Sequence, residues 1–89
     1  SLDDLDTVAD ADYLLASRLN TSFSQSLKEL PAVDTLTKSD SAKVKEIIDV
    51  YENMTTYQKT FISKDDLAAY QKYEAKYKEL NPDDSEKEK

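Results

Sequence analysis

The sequence contains no glycine and only two prolines in 89 residues. A β-sandwich or β-barrel of this length uses glycine at several tight turns, so its absence disfavours an all-β fold. Nucleotide sites of the Rossmann and P-loop types are excluded, because the backbone approaches phosphates closely only through glycine.

Histidine and cysteine are also absent. Their absence removes the usual zinc ligands, thiol nucleophiles, disulfides and the general base that titrates near neutral pH. A chain without cysteine fits both a cytosolic protein and a bacterial surface protein, so it does not separate the two. We expect no catalysis, no metal and no cofactor.

No apolar run is long enough for a membrane span or for the hydrophobic part of a signal peptide. We therefore expect no membrane insertion. If the protein is exported, its sorting signals lie outside this chain.

The net charge of −7 comes entirely from the two ends. Residues 1–12 hold five aspartates and no base, and residues 81–89 hold four acidic residues and two lysines. Residues 13–80 hold ten of each sign and are neutral. The acidic ends either solubilise the chain or form a partner-binding surface. Nucleic acid is disfavoured as a partner, because phosphate contacts require clustered basic residues.

Hydroxyl residues followed three positions later by a side chain that can bond back to the main chain predict helix starts. The predicted helix-cap pairs are Thr37/Asp40, Thr55/Gln58 and Ser63/Asp66. A further pair, Thr7/Asp10, precedes the first periodic apolar stretch. These caps predict helices over about 38–53, 56–62 and 64–80 after a long first helix.

The predicted fold is all-α: an antiparallel three-helix bundle with a short extra helix between the second and third main helices. Its module spans 8–80, between an acidic N-terminal extension (1–7) and a disordered acidic tail (81–89). The first helix buries a stripe of apolar residues at helical spacing: Val8, Ala11, Leu15, Leu19, Phe23, Leu27 and Leu30. Poor helix formers at 20–22 predict a weak point or a break, so the sequence does not decide whether this segment is one helix or two. Pro31 ends the segment.

Adjacent carboxylates such as Asp65 and Asp66 do not form a catalytic pair, because neighbours on a helix point in different directions. They favour the helix N-terminus instead. The aspartates of residues 1–12 lack the glycine and glutamate of a calcium loop. Tyr70, Tyr73 and Tyr77 lie on successive turns of the last helix. Either their rings pack along a core seam while their hydroxyls reach solvent, or they form an exposed platform for a sugar ring or a peptide.

The order of caps and core positions resembles the small α-helical, FIVAR-like repeat module of Gram-positive cell-surface and secreted multimodular proteins. The resemblance covers residues 22–80. The matching positions are Leu30-Pro31, Leu36-Thr37, Asp40, Val44, Ile48, Tyr51, Met54-Thr55, Gln58-Lys59, Phe61-Ile62, Leu67 and Tyr70. The last helix departs from the family pattern by carrying tyrosines where small residues are commoner.

The resemblance implies an extracellular, cell-surface or cell-wall location as part of a larger protein. It also implies a non-catalytic role as a spacer or a protein-interaction domain, with neighbouring domains of the same chain or another surface protein as partners. The alternative is a ligand-binding module that recognises glycan or a host protein through Tyr70, Tyr73 and Tyr77.

Overall fold

The structure, a computed structural model, describes residues 2–83, and for residues 2–10 it describes the backbone alone. Within this range the chain forms four α-helices and one short 3-10 helix. They are α1 (Leu2–Glu29), the 3-10 helix (Val33–Thr35), α2 (Ser41–Asn53), α3 (Thr56–Lys59) and α4 (Lys64–Leu80). The described residues contain no strand. The all-α prediction is confirmed.

The three long helices form a bundle in which α2 is antiparallel to both α1 and α4. The Asn81 side chain, just after α4, donates to Ser41 at the start of α2, and Tyr70 stacks on Tyr51 near the other end of α2. Between α1 and α2, Leu30 and Lys43 line one end of the shared surface, and Leu19 and Met54 line the other. The extra helix α3 packs against α1.

The centre of the core is an aromatic cluster with one ring from each long helix. The Phe23 ring lies 6.0 Å from Tyr51 and 5.5 Å from Tyr70, and the Tyr51 and Tyr70 rings stack at 4.4 Å. Pairs at these separations contribute about 0.5–1.5 kcal/mol each beyond the area that they bury. The other buried apolar residues are Ala16, Leu27, Leu36, Val44, Ile47, Ile48, Met54 and Tyr77.

The first helix departs from the sequence prediction at its start, because it begins at Leu2 and not near residue 8. The expected cap residue Thr7 therefore lies inside α1. Aspartates in the first turns of a helix stabilise it through the helix dipole, and residues 3, 4 and 6 are all aspartate. The acidic stretch thus favours helix where an extension was expected.

The open question of one helix or two is answered by an α1 that continues through residues 20–22. The Thr21 hydroxyl donates to the Ser17 carbonyl at 3.0 Å, so it bonds to the preceding turn of the same helix. The buried side chains of Phe23 and Leu27 then fix the following turns. Tertiary packing outweighs weak local propensity here. The helix ends at Glu29, just before Leu30-Pro31.

Three further boundaries differ from the prediction. α2 begins at Ser41, because residues 38–40 form a hydrogen-bonded turn ahead of it. α3 ends at Lys59, three residues earlier than expected. The segment between α1 and α2 contains the 3-10 helix. In the predicted tail, the Asn81 side chain donates a hydrogen bond to Ser41. Residues 84–89 of that tail lie outside the described residues.

The inward face of α1 is also corrected, since Ala16 is fully buried while Ala11 and Leu15 are exposed. Ala16, Phe23 and Leu27 are separated by seven and four residues, which places them on one side of the helix. Leu15 lies about 100° away from Ala16. The predicted position Val8 lies where side chains are not described.

Candidate interaction surface

The predicted cap residues form hydrogen bonds within the chain. The Gln58 N–H donates to Thr55 Oγ1 at 3.1 Å, and the Thr55 N–H donates to Gln58 Oε1 at 3.0 Å, which completes a capping box for α3. The Asp66 N–H donates to Ser63 Oγ at 3.1 Å at the start of α4. Asp66 offers its main-chain N–H to this cap.

Thr37 and Asp40 make the same reciprocal pair one turn ahead of α2. The Asp40 N–H donates to Thr37 Oγ1 at 3.3 Å, and the Thr37 N–H donates to Asp40 Oδ2 at 3.2 Å. The Ser41 N–H then donates to the Thr37 carbonyl at 3.1 Å, which continues the turn into the helix. The pair therefore stabilises the turn leading into α2, and Asp40, not Thr37, is the residue that immediately precedes the helix.

The predicted ligand-binding face Tyr70, Tyr73 and Tyr77 is not a platform. Tyr70 and Tyr77 are buried in the core, and Tyr73 is half-buried with its hydroxyl donating to the Pro31 carbonyl at 2.6 Å. The tyrosines occupy the interior because α4 supplies few aliphatic side chains to face α1 and α2. Of the two interpretations of this face, the core seam describes the structure.

The Tyr70 hydroxyl is placed where its ionised form is unfavourable. Burial raises the pKa of Tyr70 above its ordinary value of 10.0, and the neighbouring Glu74 and Glu52 carboxylates raise it further. A hydroxyl held neutral in this way does not serve as a base near neutral pH. Its partner is Glu74, at 3.5 Å on the same helix.

A groove runs between α1 and α2, and we call it the α1–α2 groove. Its first section has a volume of about 380 Å³, and all its lining residues come from α1, from Leu30 just after α1, and from α2. Phe23 and Ile47 form its buried floor. Ser22 and Ser26 line it from α1, and these small side chains leave the space above the floor open.

The groove continues past Val50 towards α3. Val50 also lines a second section of about 300 Å³, together with Leu19 and Met54. The Val50 side chain is 42% exposed although it lies in the middle of α2. Leu15, 52% exposed, lies one helical turn before Leu19 on α1. The two sections meet at Val50, and both are lined by apolar and polar side chains together.

The groove walls carry more negative than positive charge. Glu29, Glu46 and Asp49 line the two sections, against the single base Lys43. Asp49 forms an exposed ion pair with Lys45 at 3.4 Å, which contributes little in water.

A separate exposed aromatic group lies where α1 meets α3. Tyr13 and Tyr57 are 55% and 47% exposed, and each packs edge-on against Phe61, with centroid separations of 5.4 and 5.2 Å. Leu14, on the far side of α1 from Ala16, is 51% exposed.

One polar atom inside the bundle lacks a hydrogen bond among the described residues. It is the side-chain carbonyl oxygen of Asn20, which is buried on α1. An unpaired buried acceptor costs about 1–3 kcal/mol. This atom marks the place where the sequence predicted a weak point, although the helix continues through it.

Among the described side chains, those of residues 11–83, no group of three or more acidic residues is placed to hold a metal ion. The helices of residues 2–83 include none with both the length and the apolar character of a membrane span.

Comparison with known proteins gives no matching family model, no matching curated protein and no matching solved structure.

Proposed function

We propose that this chain is a non-catalytic helical module of a larger extracellular bacterial protein, where it docks a protein partner or spaces neighbouring domains. The resemblance described above supplies the setting, a Gram-positive cell surface or cell wall.

The observation that supports docking most strongly is the contrast between a closed core and an open α1–α2 surface. The hydroxyls of Thr55 and Ser63 accept helix-cap hydrogen bonds, and the Tyr73 hydroxyl donates to a main-chain carbonyl. Apolar side chains remain at the surface at Leu15 and Val50. Val50 also lines the α1–α2 groove, and a partner seated there would cover it.

The test is an amide NMR titration of the labelled chain with two sets of probes. The first is soluble cell-wall glycan fragments, and the second is the protein fraction released from Gram-positive cell walls. We expect the glycans to leave the spectrum unchanged, and the protein fraction to shift amides of α1 and α2. The same fraction after protease digestion is the control. Saturable binding of glycan, or its cleavage, would contradict the proposal.

A second arm tests spacing. The chain is placed between two fluorescent domains, and the distance between them is measured by energy transfer with and without urea. A spacer holds one distance until the bundle unfolds. A broad distribution of distances in the folded state would remove spacing from the proposal and leave docking.

A further inference from the structure

We propose that the α1–α2 groove is the docking site for a basic amphipathic helix of a protein partner, which completes a four-helix arrangement. This inference rests on the proposed function and specifies the partner for its docking branch.

The shape of the groove selects a helix. Two antiparallel helices present parallel ridges with a channel between them, and a third helix packs into such a channel by the same ridge-and-groove geometry that forms bundles. Ser22 and Ser26 keep the channel open on one side, and Val50 presents an apolar side chain on the other. Helices that bind in grooves place apolar anchors at i, i+3 or i+4, and i+7.

The charge of the groove selects a basic helix. Its walls hold three carboxylates, of which Asp49 is paired with Lys45, and one lysine, so the lining is acidic. Lysine or arginine beside the apolar stripe of the partner would complement these groups and speed its association.

A second copy of the chain fits the groove less well. The chain carries a net charge of −7, so two copies repel each other. The apolar face of α4 is turned inward, with Tyr70 and Tyr77 buried, and so is not available to another molecule. The partner is therefore inferred to be a different chain.

The test uses designed peptides as probes, with the whole 89-residue chain as the receptor. The first probe is a helix of about 18 residues, or ~27 Å, with a leucine stripe flanked by lysines. The second replaces every lysine by glutamate. The third has the composition of the first, in an order that destroys the helical stripe. Binding is followed by fluorescence anisotropy and by amide NMR.

We expect the first peptide to bind and to shift amides over 19–30 and 43–54, whereas the other two bind at least about tenfold more weakly. Affinity should fall as salt is raised to about 0.15 M, where the Debye length is ~8 Å. Equal binding of the scrambled peptide, or shifts confined to residues 2–12, would show simple charge attraction and overturn the proposal.

Two variants test the position of the site. Val50→Lys places a charge on the groove wall, and Ser26→Leu fills the channel. Each should weaken binding by about tenfold or more. The matched control is Leu14→Lys, which adds the same charge at a similarly exposed apolar position outside the groove lining. It should change affinity by less than about twofold. Equal losses in Val50→Lys and Leu14→Lys would overturn the proposal.

Self-association is measured in the same samples by sedimentation. A concentration-dependent dimer that Val50→Lys abolishes would assign the groove to a second copy and overturn the inferred partner. Failure of all the peptides would overturn this inference alone, because spacing does not depend on the groove. Glycan binding or cleavage would overturn the proposed function whatever the peptides do.

Discussion

The two halves of α1 have the same backbone conformation but different surroundings. From Ala16 to Glu29 the helix presents Phe23 and Leu27 to α2 and α4, and both are buried. From residue 11 to residue 15 every side chain is exposed, including Leu14 and Leu15. α1 has 28 residues and is ~42 Å long, whereas α2 has 13 and is ~20 Å long. Burial along α1 therefore follows the elements packed against it and not the periodicity of its own sequence.

The free energy of unfolding should change most when the same substitution, leucine to alanine, is compared between the two halves of α1. Leu27→Ala should lower the free energy of unfolding by about 2–5 kcal/mol, because it leaves a cavity in the core. Leu15→Ala should change it by less than about 0.5 kcal/mol, because the side chain is half in water. Urea unfolding followed by circular dichroism measures both. Equal losses would show that the N-terminal half of α1 is packed as tightly as the rest.

A smaller effect is expected at the cap of α3, the helix that packs against α1. Thr55→Ala should cost about 0.5–2 kcal/mol, because it removes the hydroxyl that accepts from Gln58. The adjacent change Thr56→Ala is the control and should have little effect. If the two variants unfold at the same urea concentration, the capping box does not stabilise the bundle.

Tyr73→Phe tests whether the tyrosines of α4 are structural. Removing the hydroxyl that bonds the Pro31 carbonyl should cost about 0.5–1.5 kcal/mol of unfolding free energy. Tyr57→Phe, the same change on an exposed ring, should cost nothing measurable. Unchanged thermal and urea midpoints in Tyr73→Phe would mean that its bond to the end of the α1 segment is dispensable.

Ionisation of Tyr70 should leave the stability independent of pH near neutrality and should lower it in alkali. Its pKa in the folded protein is raised above the ordinary value of 10.0, chiefly by burial. The folded state therefore keeps its proton while the unfolded state loses it. The contribution of Tyr70 to the free energy of unfolding is complete below pH 10 and declines as the pH rises above that value. Urea titrations across this range should show a steeper decline for the original chain than for Tyr70→Phe. Parallel declines would contradict the shift.

The elements that local chemistry determines could be predicted from the sequence. The cap pairs Thr55/Gln58 and Ser63/Asp66 involve residues three apart, so their pattern marks the starts of α3 and α4 directly. The helical character of the chain followed from the same local patterns and from the absence of glycine.

The parts that depend on contacts between distant residues could not be predicted in this way. Leu15 and Ala16 both fit a helical spacing with Phe23, and only the packing of other elements against α1 decides which is buried. The continuity of α1 at Asn20 depends on tertiary packing in the same way. The α1–α2 groove unites Ser26 and Val50, whose proximity no local pattern records.

The most direct test of the account measures two properties of Val50→Lys in one series: the free energy of unfolding and the affinity for the basic amphipathic peptide. Val50 is exposed on α2 and lines the groove, so stability and binding should separate. The free energy of unfolding should stay within about 0.5 kcal/mol of that of the original chain, and the affinity should fall by about tenfold or more. An unchanged affinity in a stably folded variant would contradict the account.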